Sequence, residues 1–168
     1  MPDLLEPNLK LVFCGTAPST ASAKAKSYYA KPGNRFWPTL AKVGITPERY
    51  APQDYARLLA LSIGLTDLCK AHAGTDAQLP EDAFDVAEFW AKMQRVQPKI
   101  IAFTSKTAAA AALETKTSTL QYGLLEGGRT GVDAKIVVLC SPSGLATAYF
   151  DLAVWEGLAA LVDALKTP

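Results

Sequence analysis

The sequence predicts an α/β protein with three layers, α/β/α, around a central four-stranded, mainly parallel sheet. Short apolar runs alternate with stretches that have the spacing of amphipathic helices. The apolar runs are nearly continuous, which is typical of strands that are covered on both faces. A length of 168 residues fits one domain of ordinary size, so we expect residues 1–168 to form a single domain.

The strands and helices follow each other in an order that indicates parallel pairing. Strands are predicted at residues 9–15, 62–68, 99–104 and 134–140. Helices are predicted at residues 34–43, 52–61, 81–96, 106–114 and 150–166, while residues 16–32 are irregular and residues 123–133 are rich in turns. Ligands of parallel sheets bind beyond the carboxyl ends of the strands, so a site is expected after Cys14, Leu65, Thr104 and Cys140.

The composition is that of a globular protein, with 49% hydrophobic and 20% charged residues. No apolar run reaches the roughly 18 residues of a membrane span, and the first ten residues lack a signal-peptide pattern. We therefore expect a soluble, cytoplasmic protein with no membrane partner. The three cysteines, Cys14, Cys69 and Cys140, are odd in number and widely spaced, which indicates neither a disulfide framework nor a metal site.

The net charge of +1 does not by itself indicate a nucleic-acid partner. The charges are unevenly distributed along the chain, however. Residues 24–42 contain five basic residues and no acid, whereas residues 81–88 contain four acids. This distribution is compatible with one basic face.

Two loops that follow predicted strands combine glycine, proline and serine. Residues 15–19 read Gly-Thr-Ala-Pro-Ser, and residues 141–146 read Ser-Pro-Ser-Gly-Leu-Ala. Such loops can present backbone N–H groups to an anion or to a planar polar ligand. Neither has the glycine spacing of a dinucleotide-binding or P-loop motif. Two ordinary strand-to-helix turns remain the alternative.

Together with Lys-Pro-Gly-Asn-Arg-Phe-Trp at residues 31–37, these loops resemble motifs of the mismatch-specific uracil and thymine-DNA glycosylases. In that family a GINPG motif is followed at the same distance by HPxNRFW, and a later motif reads NPSGLS. The chain is thus identified as a member of the uracil-DNA glycosylase superfamily, over residues 11 to about 148. The resemblance implies a mainly parallel four-stranded sheet and hydrolysis of the bond between uracil and deoxyribose in DNA, after base flipping.

The chain departs from that family at the residue that positions the attacking water, where Ala17 replaces an asparagine. Alanine cannot orient or deprotonate water. The best substitute is Asp67, at the end of the second predicted strand, although aspartate also caps turns. Asn34 is the second candidate, because a related hypoxanthine-directed branch has a similar Tyr-Tyr-Ala-x-Pro-x-Asn segment. Asn34 could instead cap the helix that begins at Arg35.

The resemblance also implies roles for the base-binding residues. Tyr29 corresponds to the aromatic residue on which the flipped base stacks, and backbone groups of Thr16 and Tyr29 would read the polar edge of uracil. One of Tyr28 and Tyr29 is expected in the core, as are Phe36 and Trp37. The predicted base-binding residues are Gly15, Thr16, Ala17, Pro18, Ser19, Tyr29 and Asn34.

The second loop corresponds to the wedge that fills the gap left by the flipped nucleotide. Leu145 would be the plug, since an apolar side chain can replace a lost stacking partner. Ser143 and Gly144 would approach phosphates, and Ser141 replaces the asparagine of NPSGLS. The predicted DNA-binding residues are Ser141, Pro142, Ser143, Gly144, Leu145 and Ala146. His72 lies in the loop after Asp67, where contact with DNA or the leaving base and plain solvation are equally open.

The predicted reaction needs no metal or organic cofactor and yields free uracil and an abasic site. We expect a monomer that associates with the nucleoid by binding DNA. The enzyme is expected to be monofunctional, and Lys106 is an untested candidate for the nucleophile of a lyase step. Three alternatives remain. They are a glycosylase for another base (hypoxanthine, xanthine, or thymine opposite guanine), an inactive DNA-binding homologue, and an unrelated nucleotide- or phosphate-binding enzyme.

Overall fold

The fold is a twisted sheet between two layers of helices, seen in a computed structural model that describes residues 1–80, 82–126 and 131–165. The strands are β1 (Leu11–Gly15), β2 (Ile63–Asp67), β3 (Ile100–Phe103), β4 (Gly123–Leu124) and β5 (Lys135–Val138). They are ordered β2-β1-β3-β5-β4, and all neighbours are parallel except β4 and β5. The predicted α/β class with a mainly parallel sheet is confirmed.

The predicted count of four strands is wrong, because β4 adds a fifth strand at the edge of the sheet. It lies in the segment that was predicted to consist of turns, and it pairs only Gly123 and Leu124 with β5. Two residues are too few to show strand alternation in a sequence. Residues 127–130 of the same predicted segment lie outside the described residues.

The helices follow the predicted order with shifted ends. They are α1 (Thr20–Ala25), α2 (Phe36–Lys42), α3 (Val86–Val96), α4 (Lys106–Leu113) and α5 (Leu152–Ala164). Short 3₁₀ helices lie at Pro52–Leu61, Asp76–Gln78, Thr117–Thr119 and Gly144–Tyr149. The predicted helix start at Glu81 and the predicted end at Lys166 lie outside the described residues.

Two of these helices differ from the prediction for local reasons. The segment predicted to be irregular contains α1, a six-residue helix whose N-terminus is capped by the hydroxyl of Ser19. Helix α3 is capped by the carboxylate of Asp85, which accepts a hydrogen bond from the Glu88 N–H at 3.1 Å. Capping satisfies N–H groups that have no partner within the helix, so it marks where a helix begins. The segment at Pro52–Leu61 is a 3₁₀ helix interrupted at Asp54.

The side chains of β1 alternate between two separate cores, one on each face of the sheet. Leu11 and Phe13 pack in the first core, whereas Val12 and Cys14 pack in the second. The prediction of strands that are covered on both faces is confirmed by the complete burial of these four side chains. In the described part of the chain, no helix is long and apolar enough to cross a membrane.

Aromatic side chains fill the first core and support the loops above it. Phe36 and Trp37 at the start of α2 are 0% and 2% exposed, which confirms their predicted place in the core. Phe13 packs edge-on against Phe36, with ring centroids 5.0 Å apart, and stacks on Trp155 of α5. This arrangement holds the segment before α2 against the carboxyl end of β1.

Candidate active site

A pocket of about 760 Å³ opens at the carboxyl ends of the parallel strands. Its walls are formed by residues 15–22, 74–78, 104–105, 141–143 and 145–146, together with Tyr28, Tyr29, Lys31, Asn34, Asp67 and Thr107. The two loops singled out in the sequence therefore face each other across one cavity. A volume of this size accommodates a small planar molecule together with part of a chain that carries it.

Three carbonyl groups of the loop after β1 are bonded to the loop after β2. The carbonyls of Gly15, Thr16 and Pro18 accept hydrogen bonds from backbone N–H groups within residues 68–74, at 2.8–3.0 Å. The C=O and N–H of a trans peptide point in opposite directions. The N–H groups of Thr16 and Ala17 are therefore directed away from residues 68–74, on a loop that lines the pocket.

Three polar side chains converge on Gly15 at the floor of the pocket. The position that a Cβ atom would take at Gly15 lies 2.9 Å from the Asp67 Oδ1 atom. The same position lies 3.3 Å from the hydroxyl of Thr104 and 3.4 Å from the hydroxyl of Tyr29. A side chain at residue 15 would displace the carboxylate, so glycine keeps this part of the pocket open.

Asp67 is a buried carboxylate at the end of β2, directly opposite Gly15 in the sheet register. It is 5% exposed and lines the pocket. Its Oδ2 atom accepts no hydrogen bond from the described residues, and no described backbone N–H caps a turn through this side chain. Burial raises the pKa of Asp67 to about 6, although the nearby Lys70 ammonium acts in the opposite direction. At neutral pH the group is mainly ionised and still basic enough to accept a proton.

Asn34 also lines the pocket, but its side-chain oxygen has a structural partner. Asn34 Oδ1 accepts a hydrogen bond from the Phe36 N–H at 2.9 Å, at the first residue of α2. The helix begins at Phe36 with Arg35 as its N-cap residue, so Asn34 binds the first helical N–H from the turn before the helix and is not the predicted cap of a helix that begins at Arg35. Since this oxygen is occupied, Asp67 is better suited than Asn34 to hold a water molecule.

Tyr29 forms an aromatic wall with one face already covered. Its ring stacks on Phe36, with centroids 3.9 Å apart and planes inclined by 20°. Its backbone has a φ of 53°, in the left-handed region that is unfavourable for tyrosine. Burial and the charge of Asp67 raise the pKa of the Tyr29 hydroxyl well above its usual range, so it stays protonated. Tyr28 is the core member of the pair, at 2% exposed.

Leu145 projects from a loop that is held by hydrogen bonds, and it is 72% exposed. The hydroxyl of Ser143 accepts a hydrogen bond from the Leu145 N–H at 3.2 Å. The carbonyl of Pro142 accepts one from the Arg35 N–H at 2.8 Å, which ties this loop to the segment before α2. The hydroxyl of Ser141 accepts one from the Ser143 N–H at 3.2 Å, so Ser141 braces the loop locally.

The remaining predicted residues occupy different places around the pocket. Ser19 lines it, but its hydroxyl caps α1. Gly144 lies at the rim, close to the backbone of Gly33, and is not part of the pocket lining. His72 is exposed and does not line the pocket, so the structure does not bring it to Asp67.

Sequence reasoning missed Asp76, which stands in the pocket wall opposite Thr16. The hydroxyl of Thr16 donates a hydrogen bond to Asp76 Oδ1 at 2.7 Å. Asp76 begins a short helical turn that has a reciprocal capping pair between Thr75 and Gln78. The Thr-x-x-Gln spacing of that pair was a visible signal for an ordered turn in this loop.

No metal-binding site is evident among the described residues. Over residues 1–80, 82–126 and 131–165, no group of three or more His, Cys, Asp or Glu side chains is placed to hold a metal ion. Cys14, Cys69 and Cys140 are buried and free of disulfides. The groups that line the pocket include two carboxylates, hydroxyls, side-chain amides, two tyrosine rings and the ammonium of Lys31.

The pocket thus places backbone N–H groups and the ring of Tyr29 beside the buried carboxylate of Asp67. Residues 2–165 match the uracil DNA glycosylase superfamily, and the chain belongs to that superfamily. The fold is similar to the solution NMR structure of a candidate uracil DNA glycosylase from Methanosarcina acetivorans. The TM-score is 0.66 at 21% identity, over 97% of this chain and 96% of that chain.

Proposed function

We propose that the protein is a DNA glycosylase that hydrolyses the N-glycosidic bond of uracil in DNA and leaves an abasic site. The observation that carries this proposal is the buried Asp67 carboxylate at the floor of the pocket, opposite Gly15. Within the superfamily, the motif spacing is closest to the mismatch-specific uracil and thymine-DNA glycosylases. Ala17 stands at the place of their catalytic asparagine, so the water must be activated by another group.

The pocket suits a base that has left the DNA stack. Stacking of a base on an aromatic side chain contributes about 1–3 kcal/mol, and Tyr29 lines the pocket with one face already backed by Phe36. The N–H groups of Thr16 and Ala17 donate to the carbonyl oxygens of uracil. Flipping the nucleotide brings its glycosidic bond above Asp67.

The chemical step separates charge across the bond that breaks. The sugar becomes cationic and the departing uracil becomes anionic. The ionised Asp67 stabilises the sugar cation and orients and deprotonates the attacking water. The N–H groups of residues 15–19 stabilise the uracil anion. None of these steps requires a metal or an organic cofactor.

A lyase step is not part of the proposal. Lys106 follows β3 but is not among the residues that line the pocket. Its ammonium lies 4.4 Å from the centroid of the Tyr122 ring, where it is held over the aromatic face. The proposal is therefore a monofunctional glycosylase that acts as a monomer on DNA, with free uracil as its product.

Activity is expected to rise with pH as Asp67 loses its proton. Burial raises the pKa of this carboxyl to about 6, so kcat/KM should fall about tenfold per pH unit below that value. The measurement is a pH profile of uracil release from a single-stranded oligonucleotide, between pH 4.5 and 8.5. A profile that stays level from pH 5 to pH 7 would show that Asp67 does not act as the base.

Leu145→Ala is expected to impair excision from duplex DNA by about tenfold and from single strands by less than about twofold. The leucine replaces a stacking partner that only a duplex loses on flipping, and its burial contributes on the order of 1.5–3 kcal/mol. Leu124→Ala is the matched control, since Leu124 is 50% exposed on the edge strand β4. Equal losses on duplex and single strands would contradict the wedge role.

The test of the proposed function is an oligonucleotide cleavage assay with uracil in single strands, opposite guanine and opposite adenine. Parallel substrates carry hypoxanthine, xanthine, or thymine opposite guanine. Alkali-sensitive sites at uracil support the proposal, and sites at another base alone reassign the specificity. The alanine at position 17 favours one competing function, that of a DNA-binding homologue without catalytic activity. Such a protein would bind uracil-containing DNA and form no abasic product.

A further inference from the structure

Three charged side chains form a row from the N-terminal segment to the floor of the pocket. The Lys70 ammonium lies 3.8 Å from Asp67 Oδ2 and 2.6 Å from Asp3 Oδ1. Asp3 Oδ2 also pairs with Lys92 at 2.7 Å. Lys70 is thus shared between two carboxylates, and its shorter contact is with Asp3. We refer to Asp3, Lys70 and Asp67 as the charged row.

The row is held in place by backbone pairing of the N-terminal segment. Leu4 and Leu65 exchange two backbone hydrogen bonds of 2.9 Å, which fixes the preceding residue beside β2. The hydroxyl of Thr66 donates to Asp3 Oδ1 at 2.7 Å. Asp3 is therefore anchored through both its backbone neighbour and its side chain, next to the strand that ends in Asp67.

Lys70 is fixed by contacts on several sides. Its ammonium donates hydrogen bonds to the carbonyl of Met1 and to the hydroxyl of Tyr28, each at 3.3 Å. The same ammonium lies 5.6 Å from the centroid of the Tyr28 ring. Lys70 does not line the pocket, so any effect it has on a substrate must act through Asp67.

We propose that Lys70 is a positioning residue that keeps Asp67 ionised, and that Asp3 limits this effect by drawing the ammonium away from Asp67. The inference rests on the proposed function in one respect, namely that Asp67 is the carboxylate that activates water. Because Lys70 is bound more closely to Asp3, Asp67 stays weakly paired and basic. A direct pairing with Lys70 would make Asp67 a weaker base.

Lys70 and Asp3 are expected to have opposite effects on the pKa of Asp67. Burial raises the pKa of Asp67; Lys70 and the amino group of Met1 lower it, and Asp3 raises it. From β1 and the segment before α2, the pKa values of Cys14, Tyr28 and Tyr29 are raised by burial, so these groups are neutral at pH 5–8. The neighbouring Thr104 carries no charge.

Asp3 is itself charged over the whole range in which Asp67 titrates. Burial alone would raise the pKa of Asp3, but hydrogen bonds from Lys70 and Lys92 outweigh it and hold the pKa below the ordinary value of 3.8. Its repulsion of Asp67 is therefore constant between pH 5 and pH 8.

The experiment measures how Lys70→Met and Asp3→Asn shift the pH dependence of uracil release. Lys70→Met keeps most of the apolar stem and removes the charge, so the acid limb of kcat/KM should move up by about 1 pH unit. Asp3→Asn removes the repulsion and releases Lys70 toward Asp67, so the limb should move to lower pH. Lys70→Arg keeps the charge and should restore most of the wild-type profile, and Lys99→Met at an exposed site is the control.

A second readout separates this inference from the proposed function. The pKa of the Asp67 carboxyl is followed by carbon NMR in the absence of DNA, in the wild type, Lys70→Met and Asp3→Asn. Opposite shifts in the two variants support the inference. Equal values in all three proteins, or a uniform loss of activity at every pH in both variants, overturn it. Opposite NMR shifts with no matching change in the activity profiles would instead refute Asp67 as the water-activating group.

Discussion

Asp67→Asn is expected to lower uracil excision at pH 7.5 by a factor of about 10² to 10⁴, the usual contribution of a positioned acid or base. The change keeps the size of the side chain and removes its charge and its basicity. The amide can neither deprotonate water nor stabilise a sugar cation. DNA affinity should stay within about threefold of the wild type, because the N–H groups of residues 15–19, Tyr29 and Leu145 are untouched.

The measurement for this variant is single-turnover uracil release together with DNA binding by fluorescence polarisation. Asp54→Asn, at an exposed position of the 3₁₀ helix Pro52–Leu61, is the matched control and should keep full activity. Full activity in Asp67→Asn would contradict the assignment. In that event Asn34→Ala becomes the decisive variant, since Asn34 is the other polar side chain considered for the water.

Asp67→Asn is also expected to change the stability of the protein in a pH-dependent way. Burial raises the pKa of Asp67 from 3.8 to about 6, so the folded state binds this proton more tightly than the unfolded state. The corresponding stabilisation is complete below pH 3.8 and is lost as the pH rises through 6. A rise of this size corresponds to about 3 kcal/mol of unfolding free energy, which the asparagine variant does not lose.

Urea unfolding of both proteins between pH 4 and pH 8 measures this effect. Between pH 4 and pH 8, the free energy of unfolding of Asp67→Asn should rise relative to that of the wild type by about 2 kcal/mol, because the rest of the effect lies below pH 4. Other titrating groups cancel in the difference, because they are the same in both proteins. A difference that is constant with pH would show that Asp67 is not held in its protonated form by burial. A gain in stability with a loss of activity would identify Asp67 as a group kept for function.

Much of the fold could be predicted because its strands are short apolar runs between helical patterns. The runs that became β1 and β2 are buried on both faces, and their lack of alternation in the sequence reflects that burial. The edge strand β4 could not be predicted, since two residues carry no periodic signal. The pairing of Leu4 with Leu65 was equally invisible, because it joins residues that are far apart in the chain.

The candidate site was predictable where its residues lie in contiguous loops. Residues 15–19 and 141–146 follow strands, and parallel pairing brings such loops to one edge of the sheet. The choice of Asp67 also followed from its place at a strand end. By contrast, the contacts of Asp3 with Lys70 and of Asp76 with Thr16 depend on how segments close over the pocket.

The most direct test of the account is mass spectrometry of a uracil-containing oligonucleotide after incubation with the purified protein. The account predicts free uracil and a strand of full length that has lost one base, in equal amounts and without any added metal or cofactor. An oligonucleotide that is bound but chemically unchanged would contradict it and would indicate a DNA-binding protein without glycosylase activity.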